Sequence, residues 1–280
     1  MKTLKYRSRG PEVFLLEEIL NTLGYEVYVS QFFGRDTHEA IMQFQKENDL
    51  VVDGLVGLKT WAKLVEKKNL LTNFNSKLLA EQDLQDFADR YDLELAAVKA
   101  VNTVESRGKG FLVDGRAVIL FEGHVFWREL NKRGLNAKDF LNGQTEDVLY
   151  EKWTRKNYKG GSGEYTRLKK AVEMSDLPDV ADAAHSAASW GAFQIMGYHY
   201  ENLGYASINE FVTRMQEHER EHLLAFGKFI SVNRFRGKTL TDWLKEKNWA
   251  NFAHGYNGPG YKQNKYDSKL RAAYERYRNQ

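Results

Sequence analysis

Apolar residues recur at three- and four-residue intervals along most of the chain, as expected of helices that bury one face. Val13, Leu16, Ile19, Leu20 and Leu23 form the first such stripe. Pro11 suits the opening turn and Gly24 the stop, so an amphipathic helix is predicted over Pro11–Leu23. A second helix begins near Asp36 or Thr37 and turns Ala40, Ile41, Phe44 and Gln45 inward; a third carries Trp61, Leu64 and Val65 after a turn at Asp53-Gly54. Three short helices make a small N-terminal bundle over residues 1–66. The polar run EKKNLLTNFNSK that follows reads as a connector, with a linker at 67–77 and a second domain over 78–280.

In that second domain Leu78–Tyr91 reads as one helix, and Asp92 as the N-cap of another that places Ala97, Ala100, Val101 and Val104 on one face and ends at Glu105. A strand or turn pair fits 110–121, where Val118–Phe121 is a short apolar run. Helical patterns return at 124–133, 137–151, 164–174, 207–230 and 239–247, while KGGSG at 159–163 reads as a flexible loop. The expected fold is mainly α: a three-helix bundle plus a mostly helical domain with a minor β element.

The chain has 280 residues, of which 42% are hydrophobic and 13% aromatic, enough to bury a sizeable core. A net charge of +3, from 41 basic and 38 acidic residues, is too small to imply nucleic acid. It favours a loose, salt-screened attraction to an anionic polymer. Cysteine is absent, so neither disulfides nor thiol chemistry arise. The N-terminus breaks its apolar positions with Glu17 and Glu18, so it lacks a signal-peptide core, and no run approaches the ~20 apolar residues of a membrane span. Synthesis in the cytoplasm, no membrane insertion and a monomer are the expectations.

Candidate chemistry concentrates in VNTVESRGKGFLVDGRAVILFEGHVF, residues 101–126, which holds Glu105, Asp114 and Glu122. Glycosidic bonds are usually broken by two carboxylates in unlike environments. Glu105, at the end of a buried helix and followed by Ser106 and small residues, is either a solvated helix end or a partly desolvated acid able to protonate a leaving oxygen. Further on, SWGAFQIM supplies Gln194 within a small, kinked backbone, and NFAHGYNGPG supplies Tyr256 and Asn257 before a turn. Residues 218–222, HEREH, match H-E-x-x-H, in which His218 and His222 would hold zinc and Glu219 act as base. The H-x-x-G-x-x-H extension is missing, and no metal or other cofactor is expected. Basic residues at 152–170 read as a solvated face, with groove electrostatics as the alternative.

Two resemblances order these pieces. FFGRDTHEAIMQFQKENDLVVDGLVGLKTW resembles the helical peptidoglycan-binding domain of wall hydrolases through Phe33, Gly34, Thr37, Ala40, Phe44, Gln45, Leu50, Asp53, Gly54, Gly57, Thr60 and Trp61. VESRGKGF, ILFEGHVF, SWGAFQIMGYHY and FAHGYNGPGY resemble the N-acetylmuramidase domain of phage endolysins, within the lysozyme superfamily. That second resemblance implies a lysozyme-like fold and cleavage of the β-1,4 bond between N-acetylmuramic acid and N-acetylglucosamine in bacterial peptidoglycan. It makes Glu105 the general acid, puts Ser106, Gln194, Tyr256 and Asn257 in the substrate groove, and leaves the second carboxylate to Glu122 or Asp114. A lytic transglycosylase, a zinc peptidase at His218 and His222, and a non-catalytic wall-binding protein are the rival expectations. An endolysin released by a holin and a delivered antibacterial effector would share this sequence pattern, and both act at the wall.

Overall fold

The computed structural model describes residues 3–68, 77–106 and 110–279. Its helices begin with α1 (Pro11–Thr22), α2 (Arg35–Glu47), α3 (Leu58–Lys68), α4 (Glu81–Tyr91) and α5 (Leu95–Val101), which runs into a wider turn over Asn102–Ser106. Strand β1 (Ile119–Phe121) leads to α6 (Gly123–Lys132), α7 (Gly163–Val172) and α8 (Pro178–Ser186). Strands β2 (Ala188–Trp190) and β3 (Ile195–Met196) precede α9 (Ile208–Glu217) and α10 (Glu219–Val232). The short pair β4 (Arg234–Phe235) and β5 (Lys238–Thr239) precedes α11 (Leu240–Lys245), α12 (Trp249–Asn257) and α13 (Tyr266–Arg278). The fold is mainly α, as the periodicity predicts. None of the described helices is long and apolar enough to cross a membrane.

The chain forms two compact units that do not follow its order: Met1–Ser76 with Phe111–Ala188, and Lys77–Gly110 with Ser189–Gln280. Of the linker expected at 67–77, Lys67 and Lys68 end α3, and residues 69–76 lie outside the described residues.

In the first unit, Leu16, Ile19, Leu20, Phe33, Ile41, Phe44, Trp61 and Leu64 form the core of the three-helix bundle. Its polar framework is equally ordered. Buried Glu17 accepts the N–H of Ser30 (2.7 Å) and Gln31 (3.0 Å) and the hydroxyl of Thr37 (3.2 Å), while burial raises its pKa. Gln45 donates to Asp53 (2.9 Å) and accepts from the N–H of Gly54 (2.9 Å). Gly54 has φ +68°, and a Cβ there would lie 2.1 Å from the His38 ring. Gly34 caps α2, and the Thr60 hydroxyl donates to the Leu55 carbonyl (3.2 Å). The motif residues of the bundle are thus its core, caps and turn.

Residues 111–188 of the same unit pack on this bundle. Phe111 bridges to Ala117 around a turn, and Val113 rests on the bundle core. The loop 159–163 is tied down, contrary to the flexible loop expected: Lys159 and Gly160 donate N–H bonds to Glu164 (2.7 and 3.0 Å), and Ser162 donates to Glu18 (2.7 Å). A carboxylate that must bury collects whatever backbone donors are near. Nor is the basic stretch wholly solvated, because Arg167 is only 2% exposed and pairs with fully buried Glu164 at 2.8 Å. Arg167 also donates to the carbonyls of Phe121 (2.7 Å) and Asp147 (3.0 Å).

Three other expectations give way. Asp92 has φ +52° and ends α4 instead of capping α5, whose N-cap is Glu94. The helix expected over 137–151 is a single short turn at Ala137–Phe140, because the Thr145 hydroxyl bonds the carbonyls of Phe140 and Asn142 and holds a turn. The helix expected over 207–230 is broken at His218, whose backbone is extended (φ −160°, ψ 149°).

In the second unit, α13 packs along α5 and α12, and Phe87, Ala97, Val101, Phe226, Phe252 and Leu270 are buried. Strands β2 and β3 form a hairpin with Ser189 opposite Met196 and Trp190 opposite Ile195.

Removing one partner of a buried ion pair strands the other charge, so Arg167→Met is expected to lower stability by about 3–5 kcal/mol. Denaturant unfolding checks this; a change below about 1 kcal/mol would mean that water reaches Glu164.

Candidate active site

Glu105 sits where α5 loosens. Ala97, Val98, Ala100 and Val101 face the core, and Asn102–Ser106 then widen into a π turn. Such a turn is held at some cost in backbone geometry and re-aims the side chains it carries. Ser106 is buried there, with its hydroxyl bonded to the Asn102 carbonyl, so it closes the turn. The Glu105 side chain is half-buried, and its Oε1 accepts from Asn257 Nδ2 at 3.2 Å.

Asn257 is the last residue of α12, which Gly258 stops at φ +75°. One residue earlier, Tyr256 stacks on Phe252 (ring centroids 5.7 Å) and meets Phe226 and Phe229 edge-on (5.5 and 5.8 Å). Its hydroxyl donates to the Phe193 carbonyl at 2.7 Å. Burial, and then the charge of Glu105, push the phenol pKa well above its ordinary value, so this hydroxyl stays protonated. In Tyr256-Asn257-Gly258 the tyrosine therefore anchors, the asparagine reaches the carboxylate, and the glycine ends the helix.

The Phe193 carbonyl belongs to the turn between β2 and β3. Gly191 (φ +72°) and Gln194 (φ +51°) are both left-handed. The exposed Gln194 accepts from the Ser189 hydroxyl (2.8 Å) and donates to the Gly191 carbonyl (2.8 Å). Trp190 and Phe193 are buried as core.

The base of this turn is His222, which is 1% exposed. Its Nδ1 accepts the Ala192 N–H at 3.1 Å, and its Nε2 lies 2.7 Å from the Met215 carbonyl, which makes Nε2 the protonated nitrogen. A Cβ on Gly191 would come within 2.6 Å of the ring, so only glycine admits this approach. His218 caps α10 by accepting from Arg220, and Glu219 accepts the N–H of Leu79 and Gly110, both at 3.0 Å. H-E-x-x-H here is a set of backbone clamps. Its two histidines do not share one helix, and the nitrogens of His222 are both engaged with the backbone.

Glu122 and Asp114 belong to the first unit. Glu122, at the N-cap of α6, has a side chain only 14% exposed and receives the Tyr158 hydroxyl at 2.8 Å from each carboxyl oxygen. Burial raises its pKa, opposed by Tyr158 and by the charges of His124 and Arg167. Tyr158 went unnoticed in the sequence, which carries no signal linking two residues 36 positions apart. Asp114 is bound differently: it accepts the Arg116 N–H (2.9 Å) and pairs with the Arg116 side chain (2.7 Å), closing the turn of the 111–117 hairpin.

Two outcomes follow from these contacts. Tyr256→Phe leaves the Phe193 carbonyl without its donor and is expected to cost about 1–3 kcal/mol, read by denaturant unfolding. His222 has its pKa lowered by burial from 6.5 to about 4. Between those values the unfolded chain binds the proton and the folded one does not, so stability present above pH 6.5 is lost as pH falls toward 4. The loss is about 3 kcal/mol at most. Melting curves across this range should show that slope in the wild type and a shallower one in His222→Gln; equal slopes would remove the assignment.

Residues 94–278 match the N-acetylmuramidase family, and residues 9–64 match the peptidoglycan-binding domain. The structure is also similar to the crystal structure of the Burkholderia AP3 phage endolysin, with 40% identity, a TM-score of 0.66 and 100% of each chain covered. The chain belongs to the N-acetylmuramidase family and carries a peptidoglycan-binding domain ahead of its muramidase domain, which makes it a peptidoglycan hydrolase of the muramidase type.

Proposed function

We propose that the protein cleaves the β-1,4 bond between N-acetylmuramic acid and N-acetylglucosamine, with Glu105 as general acid. The observation that carries this is the Asn257 amide on a half-buried Glu105 carboxyl beside a buried aromatic bed. A donor on Oε1 orients the carboxyl and favours carrying the proton on the other oxygen, from which it passes to the leaving glycosidic oxygen. Gln194, Tyr256 and Asn257 line the groove in this reading, with Tyr256 acting through the turn it anchors.

Glu122 is the better candidate for the second carboxylate, because burial makes it the stronger base and Tyr158 fixes its orientation. Asp114 is neutralised by Arg116 and occupied by its turn. Glu122 would activate water or stabilise the oxocarbenium-like transition state. Inversion requires carboxyl groups about 6.5–9.5 Å apart and retention about 5–5.5 Å.

The 1–66 bundle would hold the chain on the wall and raise the effective concentration of the muramidase residues there. A monomer, made in the cytoplasm and reaching the wall by holin-type release or by delivery, fits this reading.

Glu105→Gln should keep the fold and lower the rate of wall digestion about 10²–10⁴-fold. Mass spectrometry of the wild-type products should find reducing N-acetylmuramic acid ends. Ends carrying 1,6-anhydro sugars would replace this reading with a lytic transglycosylase, and released peptide amines with a peptidase.

A further inference from the structure

A cavity of about 970 Å³ lies within the first unit, between residues 21–29 of the bundle and the stretch around 159–170. Five of its lining residues are cationic and two are acidic. Lys169 and Lys170 stand on α7, where Lys169 is 3.7 Å from Glu173 and Lys170 is 2.6 Å from Asp147. Two tyrosines, Tyr28 and Tyr165, line the cavity. Lys159 lies 5.7 Å from the ring centroid of Tyr28, which is 52% exposed, and the Arg116 guanidinium lies 4.1 Å from that of Tyr165.

This groove is built into the fold. Ser162, which lines it, donates its N–H to Glu18, and the neighbouring Gly161 (φ +50°) comes so close that a Cβ would lie 2.0 Å from the Glu18 carboxyl. Its chemistry is that of an anion site. Sugar rings bind on bare aromatic faces, and here each aromatic face already carries a cation. Carboxylates in an extended ligand would instead meet ammonium and guanidinium groups. In peptidoglycan the glycan backbone is neutral once the lactyl group is amide-linked, and the carboxylates lie on the stem peptide.

We propose that this groove binds the acidic stem peptide of the wall polymer, so that the basic face at 159–170 reads peptide while the Glu105 site reads sugar. The proposal rests on the wall-hydrolase reading and adds the peptide as a second recognition element.

The test uses full-length protein carrying Glu105→Gln to stop turnover, with two probes: the disaccharide bearing a tetrapeptide, and the same disaccharide without it. Calorimetry should show tighter binding of the peptide-bearing probe, weakening as salt rises. Lys169→Glu with Lys170→Glu should weaken that binding on the order of tenfold, and Lys169→Arg with Lys170→Arg should retain it. Both pairs are on the surface, so circular dichroism and melting temperature should match the parent. Equal binding of the two probes, or no effect of the charge reversal, overturns the groove. Product analysis on wild-type protein separates the two readings: reducing ends without peptide binding leave the muramidase standing, and peptide binding without reducing ends leaves only the groove.

Discussion

A carboxylate or imidazole taken out of water must be met by donors and acceptors of the protein itself, and in this chain backbone amides are prominent among those partners. Glu17 gathers Ser30 and Gln31; Glu164 gathers Phe121, Lys159 and Gly160; Glu219 gathers Leu79 and Gly110; His222 holds Ala192. Apart from Phe121, which ends β1, the backbone so held lies in loops and turns. The segments so fixed include the turn that presents Gln194 and the Gly110 end of the stretch that follows Glu105.

The candidate site inherits its rigidity from this arrangement. The Tyr256 hydroxyl joins α12 to the 191–194 turn, and His222 holds the same turn from α10. Glu105 is reached from α12 by Asn257 and stands on a helix end that has already left regular geometry. The residues that touch substrate in the proposed reaction are few, and the residues that hold them come from positions far apart in the chain. The glycines of the motifs serve the same end: Gly191 admits the His222 ring, and Gly110 admits Glu219.

The helices of the bundle were legible because burial of one face forces a 3.6-residue period, and Val13, Leu16, Ile19 and Leu20 carry it plainly. Glu105, Gln194, Tyr256 and Asn257 were legible through motif resemblance, and the structure brings them into one unit. The break at His218 was not. Phe211 and Met215 continue the apolar stripe toward Phe226, and the stripe is blind to a histidine whose side chain caps the next helix. The H-E-x-x-H pattern was silent in the same way, since a pattern of residue types does not say that a backbone amide occupies the Nδ1 of His222. Tyr158 and Arg167 escaped notice because their partners, Glu122 and Glu164, become partners only by folding.

By itself the sequence determined a mainly helical chain, a peptidoglycan-binding bundle and a muramidase domain. These follow from periodicity and from short motifs, which are local. Only the tertiary structure decided that residues 111–188 pack with the bundle, that Asp114 is spent on Arg116 while Glu122 is buried against Tyr158, and that the basic stretch divides into one buried arginine and a charged groove. Those outcomes depend on which groups lose water together, a property of contacts between distant residues that local composition does not encode.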